Sequence, residues 1–333
     1  MNLTRLFLTL LESRYRYLPG KTFFLWPLLA FFLVVSSTLG QQTPLITHYM
    51  FTNMAFNPGY AGSSGGICAT GLIREQWLGF KDNDFRVSPE SIFLTVDAPI
   101  KVLHGGVGGT IFQDKIGFFR NIGVKLGYAY RMELGPGDFS VGLQLGFQNS
   151  KIDFSKFIAS DGVQEDPVLS EQTERSDMVF DISAGLYYRI PDKFYVGLSG
   201  DQFLQSKGKN TYYKLIRTYF LTAGYQWAIP NHPAFELQPS VLFYFDGAVF
   251  QFNLSALVMY NNKFYGGLGY RFQDAVSILV GMNIKSLRVG LSYDISTSTL
   301  SKYNSGCIEV MVSYCFKIDT DKFRKSYRNT RFL

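Results

Sequence analysis

Long apolar runs are almost absent from this chain. Apart from Phe23–Val35, no segment approaches the roughly 20 consecutive apolar residues that a helical membrane span needs, which excludes a bundle of membrane helices. Charge is scarce as well: 17% of the 333 residues are Asp, Glu, Lys or Arg, against about 25% in soluble domains. Histidine is limited to His48, His104 and His232, none of them in an arranged context with a Ser or Cys nucleophile. Neither Gly-x-Ser-x-Gly nor His-Glu-x-x-His occurs, so no enzymatic activity and no cofactor are expected. The glycine runs Gly105–Gly109 and Tyr265–Gly269 are not followed by a helical pattern or by Lys-Ser/Thr, which removes a phosphate-loop reading.

Cysteine is rare too. The chain has Cys68, Cys307 and Cys315, without metal-ligand spacing. Cys307 and Cys315 would lie roughly 26 Å apart along one strand, too far to pair. If the first and last strands of a barrel meet, Cys68 could approach Cys315. A disulfide is allowed there, but three small inert residues are the expectation.

The formal charge of +6 sits at the ends. Residues 1–40 carry four basic and one acidic side chain, and Lys317–Leu333 carry six and two, leaving the body at −1. That body offers no basic surface for nucleic acid.

Aromatic residues make up 17% of the chain, and there are 32 glycines. They fall in an alternating pattern that is clearest over Phe264–Phe316. Leu268, Tyr270 and Phe272 oppose Gly267, Gly269 and Arg271; Leu291, Tyr293 and Ile295 oppose Gly290, Ser292, Asp294 and Ser296; Ile308, Val310, Val312, Tyr314 and Phe316 oppose Cys307, Glu309, Met311, Ser313 and Cys315. Successive side chains point to opposite faces of a strand. Large apolar residues on one face with Gly, Ser and charge on the other suit a sheet whose greasy face meets lipid and whose polar face lines a lumen. The same alternation runs through 124–131, 139–148 and 181–189. Fourteen strands are expected, near 66–80, 90–99, 104–114, 120–134, 138–150, 176–190, 193–203, 213–229, 234–246, 248–261, 263–272, 275–284, 286–296 and 305–317. An even number fits an all-β, single transmembrane antiparallel β-barrel of the outer-membrane type, because an open edge in lipid leaves backbone groups unpaired.

The connections divide. Those after even-numbered strands are short, such as Gly135-Pro136-Gly137, Pro191-Asp192 and Asn261-Asn262, whereas the longer ones, such as Lys81–Pro89, Lys151–Arg175 and Leu204–Tyr212, follow odd-numbered strands. Short periplasmic turns and longer outer loops have this arrangement, which puts both termini in the periplasm.

Upstream of the barrel, Arg14, Arg16 and Lys21 precede the apolar core Phe23–Val35 and the small residues Ser36–Gly40. This is the layout of a secretory signal peptide over 1–40. Residues 41–65 then form a turn-rich periplasmic lead-in with scope to tuck into the barrel, residues 66–317 the transmembrane barrel, and residues 318–333 a basic tail.

The inward charges Lys125, Arg131, Arg189, Arg271 and Arg288 balance Asp181, Asp201, Glu236, Asp294 and Glu309. An ion-selective pore favours a ring of one sign, so pairing across the interior is expected instead. Arg74 and Asp294 fall on the first and thirteenth strands, where they can meet. Trp77 near a strand end suits an interfacial aromatic girdle.

Particular motifs add to the pattern. Tyr49-Met50-Phe51, then Asn57-Pro58-Gly59-Tyr60-Ala61-Gly62, Arg74-Glu75-Gln76-Trp77-Leu78-Gly79 and Asp114-Lys115-Ile116-Gly117 come first. Tyr128-Ala129-Tyr130-Arg131, Gln238-Pro239-Ser240, Gly267-Leu268-Gly269-Tyr270-Arg271, Ser292-Tyr293-Asp294 and Glu309 follow in order. Over about residues 45–316 this series resembles the PorP/SprF family of Bacteroidetes type IX secretion system membrane proteins. Gly59 stands where the family pattern has Ala, and the tail runs past its usual end.

The resemblance implies a non-enzymatic outer-membrane protein of a Gram-negative bacterium. Its role would be secretion or surface anchoring of cargo with C-terminal signal domains, including adhesins in gliding relatives. Implied partners are outer-membrane lipid, that cargo, and periplasmic ring and lipoprotein components of the machine. Candidate structural and lumen residues are Asn57, Pro58, Tyr60, Gly62, Arg74, Trp77, Asp114, Arg131, Arg271, Arg288, Asp294 and Glu309. The barrel pattern without these motifs would equally suit a passive channel for small or hydrophobic solutes.

Overall fold

A computed structural model describes residues 44–82, 85–153, 174–211 and 213–317. Alternation over these residues produces fourteen barrel strands. They are β1 (Gly66–Glu75), β2 (Glu90–Ile100), β3 (Gly105–Ile116), β4 (Phe119–Leu134), β5 (Gly137–Asp153), β6 (Glu174–Ile190) and β7 (Phe194–Asp201). There follow β8 (Thr218–Tyr225, prolonged by Trp227–Ala228), β9 (Phe235–Phe245), β10 (Phe250–Tyr260), β11 (Phe264–Arg271), β12 (Ala275–Ile284), β13 (Leu287–Ser296) and β14 (Cys307–Lys317).

Each strand pairs antiparallel with the next, and β14 returns to β1 in a register running from Gly66↔Lys317 to Glu75↔Ile308. The ring is therefore closed, and no barrel edge is left unpaired. A two-residue hairpin, Lys81–Asp82 with Phe85–Arg86, sits in the β1–β2 connection. The expected signal peptide and basic tail lie outside the described residues.

Boundaries differ where the backbone turns. Strand β1 stops at Glu75 rather than near residue 80, because Trp77 adopts a left-handed φ of 55°. The Gln76 and Leu78 amides then bond the Pro89 and Gly306 carbonyls instead of a strand partner. Strand β8 begins at Thr218, five residues later than the expected 213, and β7 ends at Asp201, where Gln202 takes a φ of 60°.

One rim carries short turns, among them the Asn261-Asn262 turn, whose φ values of 50° and 55° suit a hairpin that matches strand twist. The opposite rim carries the longer connections over 76–89, 202–217 and 297–306. Most of the expected 151–175 loop lies outside the described residues.

Outward positions such as Leu126, Leu143, Leu268, Ile278, Val280 and Tyr293 are exposed, whereas Arg271, Ser277, Ser292 and Asp294 are buried. The fold is thus the inverse of a soluble core, with an apolar outer band and a polar interior. The interior also has an apolar layer. Leu72, Phe93, Phe220, Leu242, Tyr244 and Met311 point inward and close over Leu45, Ile46, Tyr49 and Phe56. The 41–65 lead-in was expected to be periplasmic with scope to tuck inward; its stretch Pro44–Ser63 lies within the lumen. Burying each of its larger apolar side chains contributes roughly 1.5–3 kcal/mol.

The seam between β1 and β14 is covalent. Cys68 faces Cys315 in the ladder with Cα atoms 4.1 Å apart, and the two form a disulfide. This corrects the expectation of three inert cysteines: closing the barrel brings together residues 247 apart in sequence. Cys307 is free and buried.

Candidate functional site in the barrel interior

The lead-in is shaped by short-range turn chemistry. Three single-turn 3-10 segments, Tyr49–Phe51, Asn53–Ala55 and Pro58–Tyr60, fold it back on itself. The Thr52 hydroxyl donates to the His48 carbonyl at 3.1 Å, stitching the first turn. Asn57 caps the last one: its Oδ1 accepts from the Gly59 amide at 2.8 Å, and Pro58 occupies the position whose N–H would otherwise be idle. The Asn57 Nδ2 then donates to the Leu186 carbonyl of β6 at 2.9 Å. Backbone meets barrel wall so closely here that a Cβ at Gly142 would collide with Pro58 and Gly59. Gly62, at a φ of 70°, packs on Gly106 of β3 in the same way. This is why glycine stands at those wall positions.

Where Thr47 and His48 pass the β1–β14 seam, four charged side chains converge. Arg74 on β1 donates to Asp294 Oδ2 of β13 at 2.8 Å and to Glu309 Oε2 of β14 at 3.3 Å. Arg271 on β11 lies 3.6 Å from the same Asp294 oxygen and 3.2 Å from Asp274 Oδ2, and its Nε donates to Asn253 Oδ1 at 3.0 Å. Arg74, Asp294 and Glu309 are each at most 1% exposed.

The lead-in completes this cluster. The Thr47 and His48 amides both donate to Glu309 at 2.8 Å. Thr47 Oγ1 donates to Asp294 and accepts from Arg74 at 3.0 Å. His48 Nδ1 lies 2.6 Å from Glu309 Oε1, and because an ionised carboxylate only accepts, Nδ1 carries the proton. Two guanidiniums and the His48 ring thus face two deeply buried carboxylates. Buried charge persists only when paired in this way. Beyond the cluster, the Tyr49 hydroxyl donates to the Ser240 carbonyl of β9 at 2.9 Å. Burial raises the Tyr49 phenol above its usual value, so it stays a neutral donor.

A second group of lumen arginines grips the other end of the lead-in. Arg131 on β4 donates to the Gly62 carbonyl at 2.9 Å, the Ala61 carbonyl at 3.0 Å and the Ser63 hydroxyl at 2.9 Å. Arg189 on β6 donates to the Ser63 carbonyl and lies 3.4 Å from Asp138. Arg288 on β13 lays its guanidinium over the Phe51 ring, 4.3 Å from the centroid. The expected balance of inward charge therefore holds only in part. Lys125 pairs with Asp201, and Arg271 with Asp294. Arg131, Arg189 and Arg288 instead turn to carbonyls and a ring of the lead-in, Arg189 keeping Asp138 as a second partner.

Of the sequence candidates, Arg74, Arg271, Asp294 and Glu309 thus come together in one cluster. Asn57, Pro58, Tyr60, Gly62, Arg131 and Arg288 belong to the lead-in and its grip; Tyr60 meets Tyr187 edge-on at 5.4 Å. Asp114 stands apart, accepting from the Ser91 hydroxyl at 2.6 Å. Trp77 lies beyond β1 on the long-loop rim, half-buried and edge-on to Phe80 at 6.0 Å. Its amide donates to Cys307 Sγ at 3.4 Å.

The alternation placed Asn253 and Met311 on the inner face, where both are buried, but it did not point to Thr47, His48 or the inward Leu72 and Leu242. Inward Leu and Met in an otherwise polar lumen were the signal that something apolar must cover them. Among the described residues no group of His, Cys, Asp or Glu is placed to hold a metal ion. The chemistry on display is tethering of a chain segment inside a closed wall.

The fold has counterparts among solved outer-membrane barrels. The CymD monoaromatic hydrocarbon channel is 11% identical, with a TM-score of 0.50 over 84% of this chain and 95% of that one. The TodX deltaS2S3 mutant monoaromatic hydrocarbon channel, also 11% identical, gives 0.50 over 79% and 93%. Acinetobacter baumannii Omp33 is 8% identical, at 0.44 over 76% and 99%. At these identities the likeness concerns the fold, an outer-membrane β-barrel. No curated protein matches the sequence. The family described as type IX secretion system membrane protein PorP/SprF matches residues 38–314, which include the lead-in, the seam cluster and nearly all of the barrel. The chain belongs to the PorP/SprF family.

Proposed function

We propose that this protein is a non-enzymatic outer-membrane component of a type IX secretion machine of the gliding or adhesin-exporting kind. In this reading it supports secretion or surface anchoring of cargo carrying C-terminal signal domains. The short-turn rim and both termini face the periplasm, toward ring and lipoprotein components of the machine, and the long-loop rim faces outward. The observation that carries the reading is the family match, which extends across the lead-in as well as the strands. A barrel whose lumen is occupied by its own lead-in suits a scaffold better than a conduit.

Deleting the gene is expected to abolish surface display of C-terminal-domain cargo, with display restored by the wild-type chain in trans. Normal display in the deletion strain would sink the proposal. The passive-channel reading is separated by planar-bilayer recording. The intact protein should show no steady conductance, and deletion of residues 44–63 should open a pore. A steady open state of the intact protein would favour the channel.

A further inference from the structure

Between the lead-in and the short-turn rim lies a cavity of about 420 Å³, bordered by part of the network that holds the lead-in. This is within the range of small-ligand sites, about 300–1,000 Å³. Its aromatic walls include Phe51, Tyr60, Tyr187 and Tyr195. Its charged lining is unevenly committed. Arg189 is bound to Ser63 and Asp138, and Glu236 accepts from the Gln238 amide at 2.7 Å. Asp192 and Lys193 stand exposed in the turn at the mouth.

Arg288 differs from all of these. It is half-buried, its Nε is fixed by Asn283 Oδ1 at 2.8 Å, and its face rests on Phe51. No carboxylate lies within ion-pair distance of it among the described residues, and its two terminal nitrogens make no hydrogen bond there. A partly desolvated guanidinium held in one orientation, with its paired donors turned to an aromatic-walled cavity, is arranged for bidentate recognition of an anion.

We propose that this cavity binds a carboxylate carried on an aromatic or apolar body, with Arg288 as the anion-recognising residue. The carboxylate takes the two terminal nitrogens of Arg288, and the body lies against Tyr187 and Tyr195. The same chemistry is offered by the C-terminal residue of a protein segment entering from the short-turn rim and by a free aromatic acid.

The test uses the full-length protein in detergent and titrates 3-phenylpropionate against 3-phenylpropionamide, followed by ligand-observed NMR. The acid should bind at least about tenfold more tightly than the amide, the size expected for a charge-assisted bidentate contact. Arg288→Gln should bring the acid down to the affinity of the amide, and Arg288→Lys should keep part of the difference. Both variants are checked for the heat-modifiable gel migration of a folded barrel. Equal binding of acid and amide, or an acid affinity unchanged in folded Arg288→Gln, overturns the proposal. The tripeptide Ala-Ala-Phe, with a free or an amidated C-terminus, then assigns the source. Tighter binding of the free-acid tripeptide than of 3-phenylpropionate identifies a protein terminus, and its exclusion identifies a free acid.

Discussion

Arg74 and Arg288 occupy equivalent places in the sequence pattern, each an inward residue on a strand of one barrel, yet their surroundings are opposite. Arg74 is 1% exposed and reaches Asp294, Glu309 and Thr47. Arg288 is half-buried, rests on Phe51 and opens on a cavity with no carboxylate in reach among the described residues. The first is a closed arrangement in which every charge is answered, so its energetic role is to hold the lead-in at the seam. The second leaves an interaction unmade, as binding sites do. Inward charge in this barrel is thus of two kinds, and partner geometry distinguishes them.

The largest expected effect comes from breaking the closed arrangement. Arg74→Met leaves Asp294 and Glu309 buried with too little positive charge, and should destabilise the barrel by about 3–5 kcal/mol. Loss of the heat-modifiable species on thermal titration reads this out. Adding Glu309→Gln to Arg74→Met restores the balance between Arg271 and Asp294, and should recover part of the loss. A double variant no better than the single one would mean that the cluster does not act as a charge-balanced unit.

The disulfide gives the next effect. Cys68→Ser should cost roughly 2–4 kcal/mol, because the bridge joins the two ends of the barrel sheet. Alkylation of the denatured, unreduced protein should label one cysteine, Cys307, and reduction should expose three. Three labelled thiols without reductant would show the seam to be held by its ladder and charges alone.

The smallest effect sharpens the contrast. Arg288→Gln leaves no carboxylate stranded and gives up chiefly the stacking on Phe51, so the loss should be about 0.5–1 kcal/mol. A loss comparable to that of Arg74→Met would place Arg288 among the structural arginines.

The architecture was legible in the sequence because a strand's side-chain period is two and the lipid and lumen faces demand opposite chemistry. Over Phe264–Phe316 the pattern assigned the face of Arg271, Asp294 and Glu309 directly. The pairing of Arg74 with Asp294 followed from placing the first and thirteenth strands near the seam. Boundaries were less legible at Trp77 and Gln202, where non-glycine residues take left-handed backbone that no periodicity announces.

The interior was legible only in part. Thr47 and His48 belong to a segment without regular structure, so no period points them at Glu309. Leu72, Leu242, Leu257, Leu279 and Met311 break the polar-inside rule one residue at a time. Only together do they form the wall that the lead-in covers.

By itself the sequence determined the closed fourteen-strand barrel, its apolar outer band and its family, since these depend on local alternation and on ordered motifs. The tertiary structure decided the rest: that Pro44–Ser63 fills the lumen, that Cys68 joins Cys315, and that Arg74 is ion-paired while Arg288 has no carboxylate in reach among the described residues. Each of these depends on residues far apart in the chain meeting across a closed ring, and register and ring closure bring them together where one-strand periodicity cannot.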